Sequence, residues 1–275
     1  MRIITLLENH TDQSCPELQA EHGLSFYIEN RGHVVMSDVG QSGKFADNAA
    51  HLGVDLSHVE ALAISHHHYD HGGGLGRFLK ENQTATVYLR VSPEDAAYIA
   101  EDPPHPIRYI GLDQGLLREH AVRIVSIHGN SEVLPGFHLL TEIPKQYPKP
   151  SSDQRLKVQR SGRTQVDDFA HEMVTVVEGE GGYVILTGCA HNGVLNMIAA
   201  AKKALPDKQI LGVVGGFHLH HEADQTVQEV GEALLAQDIP AIYTGHCTGD
   251  HAMDLLGEVL EDRLHRLYTG LAITF

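Results

Sequence analysis

The segment "SHHHYDH" at residues 65–71 limits the possible structures and functions of this chain more than any other feature of its sequence. Its side chains are of the types that can bind metal ions. The run contains four histidines and one aspartate, and the glycines of "GGGLG" follow it directly. The apolar segment "VEALAIS" that leads into it predicts a buried strand, and "GGLGRFLKEN" predicts a helix after it. The sequence therefore predicts a strand, a sharp turn rich in metal ligands, and a helix.

The spacing of the donors within this run indicates chelation. In an extended segment His66 and His68 share one face whereas His67 points to the other. The glycines that follow allow the turn that brings Asp70 and His71 round to the same place. Neutral imidazoles suit zinc and the carboxylate adds a harder ligand, so there are enough donors for two ions. The alternative, a histidine-rich surface loop, does not account for the strand before the run and the glycines after it.

Three strands in the carboxy-terminal half each end at a histidine that has glycine nearby. "YVILTG" precedes His191, "LGVV" precedes His218 and "AIY" precedes His246. These strands alternate with helices, a pattern that predicts parallel strands whose carboxyl ends lie side by side, where ligands collect. The alternative for each histidine is a structural role. Cys189 and Cys247 are either soft ligands or buried small residues, and we favour burial for Cys247. Structural roles are also expected for three further histidines: His220, His221 and His251.

Composition and charge narrow the class of protein. The chain has 275 residues, 42% of them hydrophobic and 20% charged, which is typical of a globular protein and predicts one domain over residues 1–275. Acidic residues outnumber basic ones 36 to 20, for a net charge of −16, which argues against nucleic-acid or anionic-membrane partners. We expect a small-molecule substrate, and the oligomeric state stays open. The three widely spaced cysteines and the short apolar run in "MRIITLLENHTD" predict a cytoplasmic location.

The middle of the chain is predicted to be an inserted, substrate-side region, about residues 86–168. We expect a helix near "PEDAAYIAE" and strands at "TVYLRV", "VRIVSI" and "FHLLTEI". Between Pro144 and Asp168 the apolar periodicity stops, which predicts a long loop. This loop is either a solvated surface segment or a cationic lid for an anionic substrate, because it holds six basic residues: Lys145, Lys149, Arg155, Lys157, Arg160 and Arg163.

Taken in order, motifs along most of the chain resemble the metallo-β-lactamase superfamily. Within it, the chain is most similar to the branch of dihydropterin ribofuranosylaminobenzene phosphate synthase and related metal-dependent hydrolases. The resemblance implies an α/β fold, the αββα sandwich of two mixed β-sheets flanked by helices. It is carried by "EHGLSFYIE", "SDVGQSG", "NAAHLGVDL", "ISHHHYDHGGGL", "TEIP", "TGCAHNGVLN", "GGFHL" and "GHCTG".

The same resemblance implies a set of metal ligands and a reaction. Two zinc ions are expected, with manganese or iron as alternatives, and hydrolysis by a metal-activated hydroxide. Asp70 also counts as a catalytic residue, and His218 would stabilise an oxyanion or reach a metal. Glu21 and His22 are candidates for the substrate pocket wall. The ligand sets implied are His66, His68 and His191 for the first ion, and Asp70, His71 and His246 for the second.

Three positions bear on how closely the chain follows this family. Cys189 stands where many members have a bridging aspartate, so Cys189 is a candidate ligand and the strength of the second site is open. Asp38 keeps an acidic position within "SDVG", where Asp-Thr-Gly is common. His68 replaces the glutamate of oxygen-reducing di-iron members, which favours zinc and hydrolysis, although mononuclear iron relatives keep this histidine.

Other functions remain as alternatives. The synthase reaction of the branch joins a pterin pyrophosphate to an aromatic amine, and metals would stabilise the departing pyrophosphate. A non-catalytic metal- or ligand-sensing module is the alternative from another class, and the retention of all six implied ligands argues against it. The short apolar run at the amino terminus argues against a secreted lactamase, and the negative charge argues against a tRNA-processing enzyme.

Overall fold

The structure, a computed structural model, describes residues 1–12, 14–92, 96–101 and 103–275. In these ranges two seven-stranded mixed β-sheets form the body of the protein, and a third sheet of four strands stands apart from them. Helices cover the outer faces of the two large sheets. The predicted αββα sandwich is therefore confirmed.

The described residues form eighteen strands and seven α-helices. The strands are β1 Arg2–Leu7, β2 Ser25–Asn30, β3 His33–Ser37, β4 Ala61–Ile64, β5 Thr86–Arg90, β6 Ala97–Ala100, β7 Arg108–Tyr109, β8 Ile124–Ile127, β9 Ser131–Leu134, β10 Phe137–Leu140, β11 Leu156–Arg160, β12 Arg163–Val166, β13 Val174–Glu178, β14 Gly182–Leu186, β15 Gln209–Gly216, β16 Ile242–Gly245, β17 Leu264–Arg266 and β18 Ala272–Thr274. The helices are α1 Lys44–His51, α2 Tyr69–Gly72, α3 Leu75–Glu81, α4 Gln114–Glu119, α5 Val194–Ala204, α6 Asp224–Ala236 and α7 Asp250–Leu260.

The two large sheets have matching organisations. The first has the order β18-β1-β2-β3-β4-β5-β8, antiparallel from β18 to β3 and parallel from β3 to β8. The second has the order β17-β16-β15-β14-β13-β10-β9, parallel from β17 to β14 and antiparallel beyond. Each sheet thus has a parallel half whose strands end together at one edge, where ligand-bearing loops can meet.

Three apolar layers hold the sandwich together. Side chains such as Phe26 of β2 and Val214 of β15 fill the layer between the two sheets. Phe45 of α1 and Phe78 of α3 pack on the outer face of the first sheet. Helices α5, α6 and α7 cover the second sheet, with residues such as Leu256 fully buried. Strands buried on both faces need apolar side chains on both, which explains runs such as that of β14.

In the first third of the chain the sequence predicts a hairpin at "NRGH" and a short helix over residues 45–52, and the structure has both. The segment "NRGH" forms a hairpin in which Asn30 pairs with His33 across a two-residue turn. Arg31 and Gly32 both have positive φ, 52° and 82°, the combination that matches the twist of a tight hairpin. The helix expected near residues 45–52 is α1, which runs from Lys44 to His51.

The third sheet corrects two predictions in the middle of the chain. Its order is β12-β11-β6-β7. The helix expected near "PEDAAYIAE" is wrong over its described part, because Ala97–Ala100 is strand β6, and residues 93–95 lie outside the described residues. The long loop expected from Pro144 to Asp168 is also wrong: a 3₁₀ turn at Ser151–Arg155 leads into the hairpin β11–β12. This hairpin is short and largely exposed, so its polar side chains hide the alternation that reveals a strand.

Residues 86–168 are shared among all three sheets. Strands β5 and β8 belong to the first large sheet, and β9 and β10 belong to the second. The third sheet takes β6 and β7 from one part of the interval and β11 and β12 from another. No helix of the described ranges combines the length and the apolar character that crossing a bilayer requires.

Candidate metal centre

The side chains of the centre extend from loops at the carboxyl ends of parallel strands. His66 follows β4, Cys189 and His191 follow β14, His218 follows β15 and His246 follows β16. Strands β14, β15 and β16 pair in parallel, as predicted, so the loops that follow them are neighbours.

Four residues of these loops that are not glycine have left-handed backbones. They are Asp38, Ala190, His218 and His246, with φ of 61°, 57°, 53° and 50°. Such conformations cost about 1–3 kcal/mol each and persist where the surroundings fix them. All four lie just past the ends of strands β3, β14, β15 and β16, so the strained backbone is concentrated at the centre.

One group of donors contains the three residues predicted for the second ion, together with Cys189. The donor atoms of Asp70, His71, Cys189 and His246 lie within 4.8 Å of one another, and all four residues are buried. His71 Nε2 is 3.1 Å from Cys189 Sγ and 3.6 Å from Asp70 Oδ2. His246 Nε2 is 3.3 Å from Asp70 Oδ2 and 3.5 Å from Cys189 Sγ.

A second group surrounds the residues predicted for the first ion. His66, Cys189 and His191 have donor atoms within 4.8 Å of one another. His66 Nε2 faces His68 Nδ1 at 3.1 Å. The ring centroids of His66, His68 and His191 are separated by 4.6, 5.0 and 5.1 Å, so the three predicted residues meet.

Cys189 is common to both groups. Its sulfur groups with donors of both histidine sets, so the candidate ligand at the position of the family's bridging aspartate lies where the two sets meet. Cys247 is buried, as expected, but its sulfur also groups with Cys189 and His218. A soft sulfur donor thus lies at the middle of the centre.

Hydrogen bonds from the far side of three imidazoles fix their tautomers. The Nδ1–H of His71 donates to Asp38 Oδ2 at 2.7 Å. The Nδ1–H of His246 donates to Asn9 Oδ1, and that of His191 donates to Asp153 Oδ1, both at 2.9 Å. Each bond leaves the Nε2 lone pair directed toward the other donors, the arrangement found around metal-ligating histidines.

Asp38 connects the two groups. The hydroxyl of Ser65 donates to Asp38 Oδ2 at 2.7 Å, so its oxygen accepts from His66 Nδ1–H at 2.9 Å. The same carboxylate oxygen holds His71. Gly188 makes room for this chain of bonds, because a Cβ there would lie 2.1 Å from the hydroxyl of Ser65. One buried carboxylate therefore orients a histidine of each group.

Two buried glutamates that no sequence motif indicates, Glu8 and Glu172, hold the loops in place. Glu172 accepts from the backbone N–H groups of His191 and Asn192, at 2.9 and 2.8 Å. Glu8 accepts from the backbone N–H of His246. Burial raises the pKa of Glu172 to about 7, although its hydrogen bonds from Asn192 and His191 act in the opposite direction. No spacing links these carboxylates to the histidine motifs in sequence.

The protonation of the donors suits cation binding. Burial, aided by the neighbouring imidazoles, lowers the pKa of His66 and His191 well below the usual value, so both are neutral. Burial acts to raise the pKa of Asp70, but His71 and the hydrogen bonds from His22 and His246 outweigh it and hold that pKa well below its usual value. Burial raises the pKa of the Cys189 thiol, so a cation is needed to stabilise its thiolate.

The separations between donors fit the dimensions of a zinc site. Two nitrogens at about 2.05 Å from a tetrahedral ion are roughly 3.3 Å apart, and His66 Nε2 and His68 Nδ1 are 3.1 Å apart. His191 Nε2 is buried with no hydrogen-bond partner in the described structure, an arrangement that costs free energy unless a cation occupies the point it faces. The residues present therefore fit a metal.

Several predicted residues lie at the edge of the centre. His22 Nε2 is 3.3 Å from Asp70 Oδ2, and its side chain is about half exposed. Glu21 instead accepts from the backbone and hydroxyl of Ser42, at 3.0 and 2.6 Å, and so fixes a turn. His218 Nε2 lies 3.2 Å from the carboxylate of Asp153.

His68 also lies beside Asp167 and His171, which are not among the predicted site residues. Its donor atoms group with those of Asp167 and His171. His171 Nδ1 accepts from the backbone N–H of His67, so its Nε2–H donates to Asp167 at 3.1 Å. Their signal in the sequence is the segment "DDFAHE" just before β13, but it lay in and beside the predicted loop.

A cavity of about 140 Å³ opens onto these donors. We call the lining residues that lie at the ends of the strands the floor of the cavity. They include Asp70, Cys189, His191 and His218. Its roof is the inner face of the third sheet, defined by Ala100, Arg108, Ile110 and Leu156, with Arg155 at the margin. The roof and the floor meet where His68 pairs with Gly111 in an isolated bridge.

Comparisons with known proteins show which family the chain belongs to. The model of the metallo-beta-lactamase superfamily matches residues 18–246. A protein of Methanocaldococcus jannaschii named 7,8-dihydropterin-6-methyl-4-(beta-D-ribofuranosyl)-aminobenzene-5'-phosphate synthase is 25% identical over 289 residues, which cover 100% of this chain and 97% of that protein.

Solved structures support the same assignment. The crystal structure of Tm1679, a metal-dependent hydrolase of the beta-lactamase superfamily, has a TM-score of 0.83 and 28% identity, over 100% of this chain and 99% of that one. Zn²⁺-bound PqqB from Methylobacterium extorquens covers 100% of both chains with a TM-score of 0.57 and 11% identity, which shows a shared fold alone.

Proposed function

The chain belongs to the metallo-β-lactamase superfamily, and we propose that it is a hydrolase with two zinc ions that acts on a small anionic phosphate or ester substrate. Manganese and iron are the alternative metals. The ligands proposed for the first ion are His66, His68 and His191, and those for the second are Asp70, His71 and His246, with Cys189 as a thiolate shared by both.

One observation carries this proposal. Two groups of buried donors meet at Cys189, and the facing donor atoms within them are 3.1 to 3.6 Å apart. A chain that had kept the fold without the chemistry would have no reason to maintain seven such side chains together with Asp38, Asp153 and Asn9 behind them. The spacing therefore favours an enzyme over a non-catalytic sensing module.

Different side chains at the cavity would have different catalytic roles. Two bound ions would lower the pKa of a water molecule toward about 7 and polarise the oxygen of the scissile group. His218 lines the cavity and would donate a hydrogen bond to the oxygen on which negative charge develops. Asp70 also lines the cavity, beside His22, and the half-exposed imidazole of His22 could pass a proton to or from solvent.

Three properties of the chain support a cytoplasmic enzyme that acts on small molecules. Its cysteines are all free thiols, which suits a reducing compartment. Its net charge of −16 disfavours nucleic acids and anionic membranes as partners. The cavity has a volume of about 140 Å³, so it would hold a small molecule or one part of a larger ligand.

The test is a panel of lactones, phosphodiesters and phosphomonoesters, assayed with the metal-free protein and after addition of zinc or manganese. We expect turnover of at least one class only with metal, and loss of that turnover in His66→Ala and Asp70→Ala. His251→Ala is the matched control, because His251 is an exposed histidine paired with Asp224 outside the cavity. Turnover that does not depend on metal would refute the proposal, and so would oxygen consumption by bound redox-active iron.

A second candidate is a synthase reaction. The observation in its favour is the full-length similarity to a curated protein that carries a synthase name. The metal-loaded protein would be incubated with a dihydropterin pyrophosphate and a ribofuranosylaminobenzene phosphate, and the coupled product sought by mass spectrometry. Coupling without hydrolysis of any panel member would replace the hydrolase proposal with this one.

A further inference from the structure

Two arginines, Arg108 and Arg155, face the cavity from the side of the third sheet. Elsewhere, five described arginines form ion pairs, among them Arg263 with Asp238, Arg266 with Asp250 and Arg2 with Glu29. Among the described residues, no carboxylate forms an ion pair with the two arginines at the roof, Arg108 and Arg155. Other described arginines also lack an ion pair, but Arg108 and Arg155 are the two that line this cavity, so two positive charges face the metal ligands in a chain of 36 acidic and 20 basic residues.

The register of the third sheet brings these arginines to the metal centre. Ala100 of β6 pairs with Arg108 of β7 on one side and with Leu156 of β11 on the other. Residues directly opposite in antiparallel strands extend from the same face, so all three side chains point toward the floor. Arg155 directly precedes β11, and its backbone oxygen accepts from Glu101 N–H at 2.9 Å.

The guanidinium of Arg155 is oriented by a histidine. His220 Nδ1–H donates to the backbone oxygen of Cys247 at 3.0 Å, since a carbonyl can only accept. The lone pair of His220 Nε2 therefore accepts from Arg155 Nη2–H at 3.3 Å. This bond uses one of the five N–H groups of the guanidinium and leaves its charge uncompensated and its remaining donors available. The orientation of Arg155 is thus tied to the loop that carries Cys247.

The remainder of the roof is apolar. Ala100, Ile110 and Leu156 line the cavity between the two arginines and the metal ligands, and Tyr69 lines it from α2. Such a surface suits the organic part of a ligand, whereas the two guanidinium groups suit an oxyanion of more than one negative charge. The floor has few anionic donors of its own, chiefly Asp70 and Cys189, so two divalent ions would leave it positive as well.

We propose that Arg108 and Arg155 form an anion subsite that recognises a phosphate group of the substrate. This inference rests on the proposed function, because it treats the cavity above the metal ligands as the substrate site. It also replaces the predicted cationic lid with a more specific arrangement: one of the six basic residues of that segment, Arg155, lines the cavity, and it acts together with Arg108 from a different strand.

The test measures binding to the zinc-loaded protein by isothermal titration calorimetry. The probe is phenylphosphonate, which has a dianionic head group and no ester bond to hydrolyse, and benzoate is the carboxylate counterpart. We expect the Kd for phenylphosphonate to rise about tenfold in Arg108→Gln and again in Arg155→Gln, because each removes charge-assisted hydrogen bonds. Arg163→Gln is the matched control, since Arg163 is an exposed arginine of the adjacent strand, and its Kd should stay unchanged.

Each other outcome decides against the subsite. An unchanged Kd in the double variant would mean that the phosphonate binds to the metal ions alone, and no binding to the parent protein would remove the site altogether. An equal loss of benzoate affinity would replace phosphate with a carboxylate. Zinc content, measured for every variant, shows that the floor is intact. Failure of the hydrolase panel would leave these Kd values unaffected, so the two proposals fail separately.

Discussion

The floor and the roof of the cavity are built by different means. The floor joins residues from both large sheets. All but one of the proposed imidazole ligands are fixed by a second hydrogen bond, to Asp38, Ser65, Asp153 or Asn9, and the exception is His68. The roof is a small sheet with a modest cluster of its own around Tyr98 and Val158. The hydrogen bonds that fix side-chain orientation are thus concentrated in the floor, where a reaction would occur. The roof, which would select the ligand, is held mainly by apolar packing.

This difference separates two kinds of expected mutational effect. Changes in the floor should alter metal content and turnover together, because its side chains hold the ions and are themselves held rigidly. Changes in the roof should alter ligand affinity and local stability while metal content stays the same. A variant of a proposed metal ligand that spares metal binding, or a roof variant that removes it, would contradict this division.

The largest effect is expected for Asp70→Ala. Its carboxylate lies 3.3 Å from His246 Nε2 and 3.6 Å from His71 Nε2, so its removal takes away the anionic oxygen of one donor group. Because loss of a group behind the ligands already costs about 10- to 100-fold, we expect kcat/KM to fall by more than about 100-fold. The measurement combines kinetics with zinc content by mass spectrometry. Full activity at a reduced zinc content would show that the second ion is dispensable.

The next largest effect is expected for Cys189→Ala. Since the sulfur is common to both donor groups, its loss should weaken both sites instead of one. In cobalt-substituted protein the thiolate-to-metal charge-transfer absorption should disappear, and binding of the second ion should weaken by about 100-fold. Cys247→Ala is the matched control, because that thiol is also buried but belongs to one group with Cys189 and His218. Charge-transfer absorption that survives in Cys189→Ala would assign the thiolate ligand to Cys247.

A smaller effect is expected for Asp38→Asn. This carboxylate accepts from His71 directly and orients His66 through the hydroxyl of Ser65. We expect metal affinity to fall by about 10- to 100-fold at both sites, as is usual for partners of ligating histidines. Competition with a chromogenic chelator would measure this. Loss at only one site would show that the connection through Ser65 does not orient His66.

The junction of floor and roof should respond to acid. Burial lowers the pKa of His67 to about 3, and its Nε2–H donates to the backbone oxygen of Arg90. Below pH 6.5 the unfolded chain takes up a proton at His67 that the folded protein does not, so stability falls as pH falls from 6.5 toward 3, by about 1.4 kcal/mol per unit. Urea unfolding of metal-free protein from pH 7 to 4 should give a shallower decline for His67→Gln. Equal slopes would mean that His67 is protonated in the folded state.

The smallest effect on the metal centre is expected for Val158→Ala in the roof. Val158 is fully buried beside Tyr98, and loss of its two methyl groups should reduce the free energy of unfolding by about 2 kcal/mol. Zinc content should not change, and the affinity for phenylphosphonate should fall only slightly. A loss of zinc in this variant would show that the roof supports the floor.

The sequence predicted the floor far better than the roof, for a physical reason. His66, His68, Asp70 and His71 belong to one short motif, and His191 and its counterparts follow strands with strong apolar runs. Such patterns can be recognised in a sequence because a buried parallel strand and a chelating turn each require particular residue types.

The supporting residues had no comparable signature. Glu8, Asp153 and Glu172 act on histidines 238, 38 and 19 positions away in the chain, so only the folded structure brings them together. The sequence wrongly predicts a helix and a loop for the roof, because its strands are short and because the hairpin β11–β12 has polar side chains toward solvent. Arg155 was recognised as one of six basic residues, but nothing in the sequence distinguished it from Arg163 or paired it with Arg108.

The third sheet takes its strands from two separate excursions of the chain, β6–β7 and β11–β12, and neither excursion supplies a strand to the large sheets. Mutations can therefore accumulate in these short strands without disturbing the backbone ladders that position the histidines. A lineage with this architecture could acquire new substrates by drift and selection in four strands while it inherits the same chemistry. Differences in specificity among relatives should accordingly map to the residues that correspond to Arg108 and Arg155.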